Sequence, residues 1–173
     1  MAAFTKKHTS EIIHAAHHNV RRVAVMLEDV RSMHNVGSAF RTLDALGGAE
    51  LWLTGYTPAP PHRDIHKTAL GAELTIPWQK FETTTEALEA ARSAEFSIVA
   101  AEQAHGAFML GDDSKALPEG PLLLVFGNEV TGVSDEALAA SSACIEIPQR
   151  GEKHSLNVSV AVGVVLWELL RRG

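Results

Sequence analysis

The chain reads as a single α/β domain built on a largely parallel sheet, and three observations predict it. Short apolar runs alternate with segments of helical spacing from residue 22 to the C-terminus. Several runs, such as Leu122-Leu123-Leu124-Val125-Phe126, are apolar on both faces, as strands covered on both sides are. At 173 residues, 46% hydrophobic and 21% charged, the chain has room for one ordinary core.

The elements follow in order. Residues 11–20 have helical spacing and predict a leading helix, so 1–20 reads as an N-terminal helical extension before a domain over 21–173. Residues 22–28 predict a buried strand. Asn35 to Leu46 predict a helix that stops at Gly47-Gly48, followed by a strand over 49–55. Pro58, Pro60 and Pro61 force an irregular loop. A threonine-capped helix is expected at 84–94, strands at 96–101 and 121–126, a short helix near 134–141 and a strand at 143–147. The last helix is expected from Ser155 to Arg172, with apolar residues on nearly every side. Such a helix needs cover all round, and at the end of a small domain that points to a second copy of the chain, a deep position within the chain being the other explanation. In this reading Val165 and Leu169 face a homodimer interface.

Composition excludes several classes. The net charge of −6 argues against a protein that coats nucleic acid without selectivity, although basic residues cluster locally. The longest apolar run, Val160 to Trp167, is too short to span a bilayer, and MAAFTKKHTS has no signal-peptide core. Cys144, the single cysteine, can form neither an internal disulfide nor a multi-thiolate site and reads as a small core residue. The expected compartment is the cytosol. His14/His18 and His62/His66 have i,i+4 spacing but no evident third ligand, so no metal site is expected.

Three segments carry unusual polar residues, each at an expected strand end, where ligands bind in parallel α/β sheets. In HNVGSAFRTLDALGG, Asn35, Gly37 and Ser38 are expected to open a helix whose free N–H groups suit an anion. Ser38 and Arg41 share a face, and a phosphate would relieve an arginine placed near a helix start. In LLLVFGNEVTGVSDEAL, Gly127 lacks bulk where a ligand could meet the strand. The spacing Gly127…Gly132 with Ser134 imitates a P-loop, but Val133 stands where its lysine belongs, and no G-x-G-x-x-G occurs. Nucleotide hydrolysis and the usual dinucleotide fold are thereby disfavoured. In IEIPQRGEKHSLNVSVAV, Ser155 is expected to cap the last helix, leaving Asn157 inside it in need of partners.

N-V-G-S-A-F-R-T at 35–42, F-G-N-E-V-T-G at 126–132 and I-P…S-L-N-V-S at 147–159 resemble, in order and spacing, the three motifs of the SpoU/TrmH family of SPOUT methyltransferases. The resemblance spans residues 22–172. It implies a parallel α/β fold with a C-terminal trefoil knot, a homodimer, S-adenosylmethionine as cofactor, and a tRNA or rRNA ribose 2′-hydroxyl as acceptor. Carried over, the reacting residues are Asn35, Arg41, Glu129, Ser155 and Asn157, and the cofactor contacts are Ala101, Gly127, Ile147 and Leu156. No metal is required. The basic clusters then nominate Arg63, Lys67, Arg150 and Lys153 as RNA contacts. A guanidinium hardly deprotonates, so Arg41 is expected to grip phosphate and stabilise developing charge, while Glu129 orders the site. Alternative readings are an RNA-binding module without catalysis, a SPOUT-type base methyltransferase and a small-molecule α/β enzyme.

Overall fold

The computed structural model describes residues 21–152 and 155–170. The expected helix at 11–20 and Lys153 lie outside the described residues. Seven strands form one sheet in the order β3-β2-β1-β6-β4-β7-β5, and every pairing is parallel. The strands are β1 (Val23–Glu28), β2 (Glu50–Thr54), β3 (Trp78–Phe81), β4 (Ser97–Ala101), β5 (Phe108–Met109), β6 (Leu122–Phe126) and β7 (Ala143–Glu146). The helices are α1 (Met33–Leu46), α2 (Arg63–Ala69), α3 (Thr84–Ser93), α4 (Asp135–Ala140) and α5 (Val158–Leu170).

The period of two in the central strands divides the core into two layers. Val23, Val25 and Leu27 join α1, α2 and α5 on one face of the sheet. Ala24 and Met26 join α3 and α4 on the other. This double cover explains why β6, and β1 up to Leu27, are apolar throughout.

Several expectations about α1 and α5 change. α1 begins at Met33, not Asn35, because Ser32 is the N-cap and its hydroxyl accepts the Asn35 amide at 3.2 Å. The Asn35 N–H is therefore already used, and Gly37 serves helix packing rather than an anion. A Cβ on Gly37 would lie 2.1 Å from Thr68 Oγ1 and 2.3 Å from the Ile65 carbonyl. Arg41 sits in the middle of α1, so the supposed conflict with the helix dipole does not arise. α5 begins at Val158, and its cap is Asn157 instead of Ser155. The Asn157 Oδ1 accepts the Ser159 amide at 2.9 Å and the Ser159 hydroxyl at 2.7 Å.

α5 also differs in its environment. Val165 is fully buried within the chain and Leu169 packs against the same core. Neither reports on assembly, and Val165→Asp would disrupt the fold itself. The exposed apolar residues of this helix are Val160, Val164 and Trp167.

Glu28 shows how the second layer is tied together. It is 2% exposed at the end of β1. Its carboxylate accepts the Thr84 hydroxyl at 2.6 Å, the Ser134 hydroxyl at 2.6 Å and the Ser134 amide at 2.9 Å. One side chain thus joins β1 to the first turns of α3 and α4. Glu28→Ala strands those donors and should cost about 1–3 kcal/mol, visible as a lower urea midpoint.

Candidate active site

The site grows from the loop that follows β6. A Cβ on Gly127 would lie 2.1 Å from the Gly132 carbonyl, so this glycine is required by backbone folding back on it. Asn128 and Gly132 form a small antiparallel bridge through reciprocal bonds of 3.1 and 2.9 Å. The Asn128 Oδ1 accepts the Val130 and Thr131 amides, while its Nδ2 donates to the Asp29 carbonyl at 2.7 Å and Tyr56 Oη at 2.8 Å. Gly132 takes φ +72°, a conformation that few other residues tolerate. The motif is a rigid tight loop, and Gly127 shapes it rather than leaving room for a ligand directly.

Glu102, just beyond β4, holds the far side of that loop. Its Oε2 accepts the Val133 amide at 2.8 Å and its Oε1 accepts the Gln103 amide at 2.8 Å. A Cβ on Gly132 would strike the same carboxylate. Cys144 Sγ donates to the Glu102 carbonyl at 3.6 Å, and burial pushes its thiol up, away from nucleophilic chemistry. That agrees with the packing role expected of it.

The loop edge, the end of β4 and the segment after β7 enclose a cleft of about 250 Å³. All four expected cofactor residues, Ala101, Gly127, Ile147 and Leu156, line it, together with Glu129 and Ser155. Its floor is apolar, from Phe126, Ile145, Val158 and Ala161, and its rim carries Glu102, Gln103 and Asn128. Leu156 stands 42% exposed there.

At one end of the cleft the three motifs meet through hydrogen bonds. The Asn35 Nδ2 donates to Glu129 Oε1 at 3.0 Å, and the Asn157 Nδ2 donates to Asn35 Oδ1 at 3.1 Å. The Arg31 amide approaches Glu129 Oε2 at 3.4 Å. Asn35 is 9% exposed, and two bonds fix its amide while one N–H and one lone pair remain for a ligand. Asn157 is not buried, contrary to expectation; it caps α5 with its oxygen and orients Asn35 with its nitrogen.

Arg41 is not part of this cluster. It lies about 9 Å along α1 from Asn35 and roughly 120° around the axis, by helix geometry. It is exposed and lines a separate depression with Ser38, Lys67 and Thr68. Arg63 begins α2 and is exposed, as is Arg150 after β7. Lys67 Nζ pairs with Asp64 Oδ1 at 2.6 Å. Among the histidines, His62 caps α2 by accepting the Asp64 amide at 3.1 Å, and His66 Nδ1 lies 2.5 Å from Glu73 Oε1. Neither pairs with the other.

Residues 22–167 match the SpoU rRNA Methylase family. The chain belongs to that family. Among curated proteins it is 33% identical to a tRNA (guanosine(18)-2′-O)-methyltransferase of Thermus thermophilus, over 87% of this chain and 75% of that protein. It is 30% identical to a 23S rRNA (guanosine-2′-O-)-methyltransferase, RlmB, of Vibrio parahaemolyticus, over 86% of this chain and 58% of that protein. Among solved structures, an AdoMet-bound rRNA methyltransferase from Sinorhizobium meliloti superposes with a TM-score of 0.80 at 30% identity, covering 89% of this chain and 57% of that one. This SpoU family member thus spans little more than half the length of two of these proteins. Its three motifs are the segments that build the cleft and the Asn35 cluster.

Glu102, Asn128 and Tyr56 hold the loop after β6 in place, and sequence reasoning did not nominate them. An acid directly after the apolar run at 97–101 was the available signal for Glu102.

Proposed function

We propose that this SpoU family protein transfers a methyl group from S-adenosylmethionine to a ribose 2′-hydroxyl of tRNA or rRNA. The observation that carries the proposal is the Asn157–Asn35–Glu129 relay at the mouth of the cleft, which joins all three family motifs. The cleft's chemistry fits the cofactor. Its apolar floor suits a flat adenine, and Glu102 keeps lone pairs free for ribose hydroxyls. Ala101, Gly127, Ile147 and Leu156 would hold it.

S-adenosylmethionine supplies an electrophilic methyl carbon on a sulfonium. The protein's work is then to align the acceptor oxygen and manage the proton and charge that its attack releases. Asn35, held from both sides, would orient the ribose with its remaining N–H and lone pair. Ser155 contributes a hydroxyl to the same cleft. Glu129 is exposed and engaged with Asn35, which suits ordering better than proton abstraction. Arg41, with Ser38 and Lys67, forms a cationic depression suited to a phosphate, so a strand laid over α1 would touch both it and Asn35. The exposed Arg63 and Arg150 would add further cationic contacts to RNA. Phosphate or water takes the proton.

A homodimer and a knotted C-terminal segment complete the reading by analogy with the family. Dimerisation is supported by an apolar face on α5 in which Val160, Val164 and Trp167 are 50%, 39% and 60% exposed. Trp167→Glu should shift a dimer toward monomer by light scattering without unfolding the chain. An unchanged dimer would assign that face elsewhere. No helix among the described residues is long and apolar enough to cross a membrane, and a cytoplasmic setting suits an RNA substrate.

The activity is tested by offering methyl-labelled S-adenosylmethionine and hypomethylated tRNA or rRNA from a strain lacking the protein. Incorporation into either fraction supports the reading. Tight RNA binding without cofactor binding would favour a non-catalytic module.

A further inference from the structure

Tyr56 is the chain's single tyrosine, and it is 54% exposed although its surroundings are fixed on every side. Its amide donates to Asp29 Oδ1 at 3.1 Å, and its hydroxyl meets Asn128 Nδ2 at 2.8 Å. Next to it, Thr57 is 1% exposed; its Oγ1 accepts the Val30 amide at 3.0 Å and donates to the Leu27 carbonyl at 3.1 Å. Gly55 before it has φ +58°, and a Cβ there would lie 1.9 Å from Asp29 Oδ1. Asp29 itself has φ +53°, an unusual conformation for a residue with a side chain. Two unusual backbone conformations thus hold an aromatic ring rigid and open to solvent.

The ring is also electrostatically prepared. The Arg31 guanidinium lies 5.5 Å from its centroid, and Arg31 makes no ion pair among the described residues. The Arg31 amide touches Glu129, which holds Asn35, so three contacts link the ring to Asn35. A rigid aromatic backed by an unpaired cation is the surface on which unstacked RNA bases settle.

We infer that Tyr56, backed by Arg31, is a stacking platform for a nucleobase of the RNA substrate, at or beside the methylated nucleotide. The inference rests on the reading of this site as an RNA ribose methyltransferase. Because the base binds by its face, the platform fixes position while tolerating different bases.

A single tyrosine makes the test direct. Full-length protein carrying ring-labelled ¹³C-tyrosine should show one set of ring signals. Titration with hypomethylated tRNA, and separately rRNA, from a deletion strain should move them upfield through the ring current of the base. Tyr56→Ala should raise KM for that RNA about tenfold with cofactor affinity intact. Tyr56→Phe, which keeps the ring and loses the bond to Asn128, and Tyr56→Trp should both stay close to wild type. Ring signals unmoved under saturating RNA would overturn the platform while leaving the transferase reading in place. So would a Tyr56→Phe variant as impaired as Tyr56→Ala in cofactor affinity, which would make Tyr56 only a clamp for the loop. Ring shifts without methyl transfer would support the platform and fault the catalytic reading. No RNA binding by any readout would overturn both.

Discussion

Arg41→Ala should lower kcat at saturating RNA by at least about 10²-fold, the scale of losing one well-placed stabilising donor. Arg41 lines a depression outside the cofactor cleft, so S-adenosylmethionine should bind the variant normally. A residue that merely steers RNA would raise KM and leave kcat nearly intact. Arg41→Lys should rescue poorly, because an ammonium cannot reproduce the planar fork that grips a phosphate. Arg63→Ala, in contrast, should mainly weaken RNA binding and flatten its salt dependence. Single-turnover methylation separates these cases. A normal rate for Arg41→Ala would leave Arg41 with no part in the chemistry and shift it to the Asn35 cluster alone.

The second large effect belongs to Gly127. Because a Cβ there would overlap the Gly132 and Val133 backbone at 2.1–2.2 Å, Gly127→Ala should fail as Gly127→Val does. If the glycine only made room for a ligand, alanine would be far milder than valine. Overlap of this kind costs about 1–3 kcal/mol or more. The loop carrying Glu129 and Val133 must then move, releasing both Asn35 and Glu102. Calorimetry on folded protein should find S-adenosylmethionine binding at least about tenfold weaker in both variants. Near-wild-type affinity in Gly127→Ala would return the explanation to ligand bulk.

The contrast between these residues shows what a sequence can disclose. The central strands were legible because β1, β2 and β6 are buried on both faces, with apolar runs that are long in β1 and β6 and three residues in β2. α2, β3 and β5 escaped notice for physical reasons. α2 buries only Ile65 and Ala69, β3 is an edge strand with exposed Gln79 and Lys80, and β5 has two residues. Ser155 resembled a cap, but the chain stays non-helical until Val158 and Asn157 takes that role.

The cleft was legible where its lining falls at strand ends and within short motifs. Ala101, Gly127, Ile147 and Leu156 were expected together and line one cleft. It was illegible where a role depends on distant partners. Asn128 acts through Asp29, 99 positions away, and Glu102 through Val133, 31 positions away. Arg41 and Asn35 share a motif, yet six residues of helix set them about 9 Å and roughly 120° apart, a separation that the spacing itself carries.

The central claim concerns which atom receives the methyl group. Hypomethylated tRNA and rRNA should be incubated with the protein and S-adenosylmethionine, digested to nucleosides and analysed by mass spectrometry. The account predicts a new 2′-O-methylnucleoside, with the added mass on the ribose fragment and absent from reactions with Asn35→Ala. A methyl group found on the base fragment instead would contradict it and make this protein a base methyltransferase.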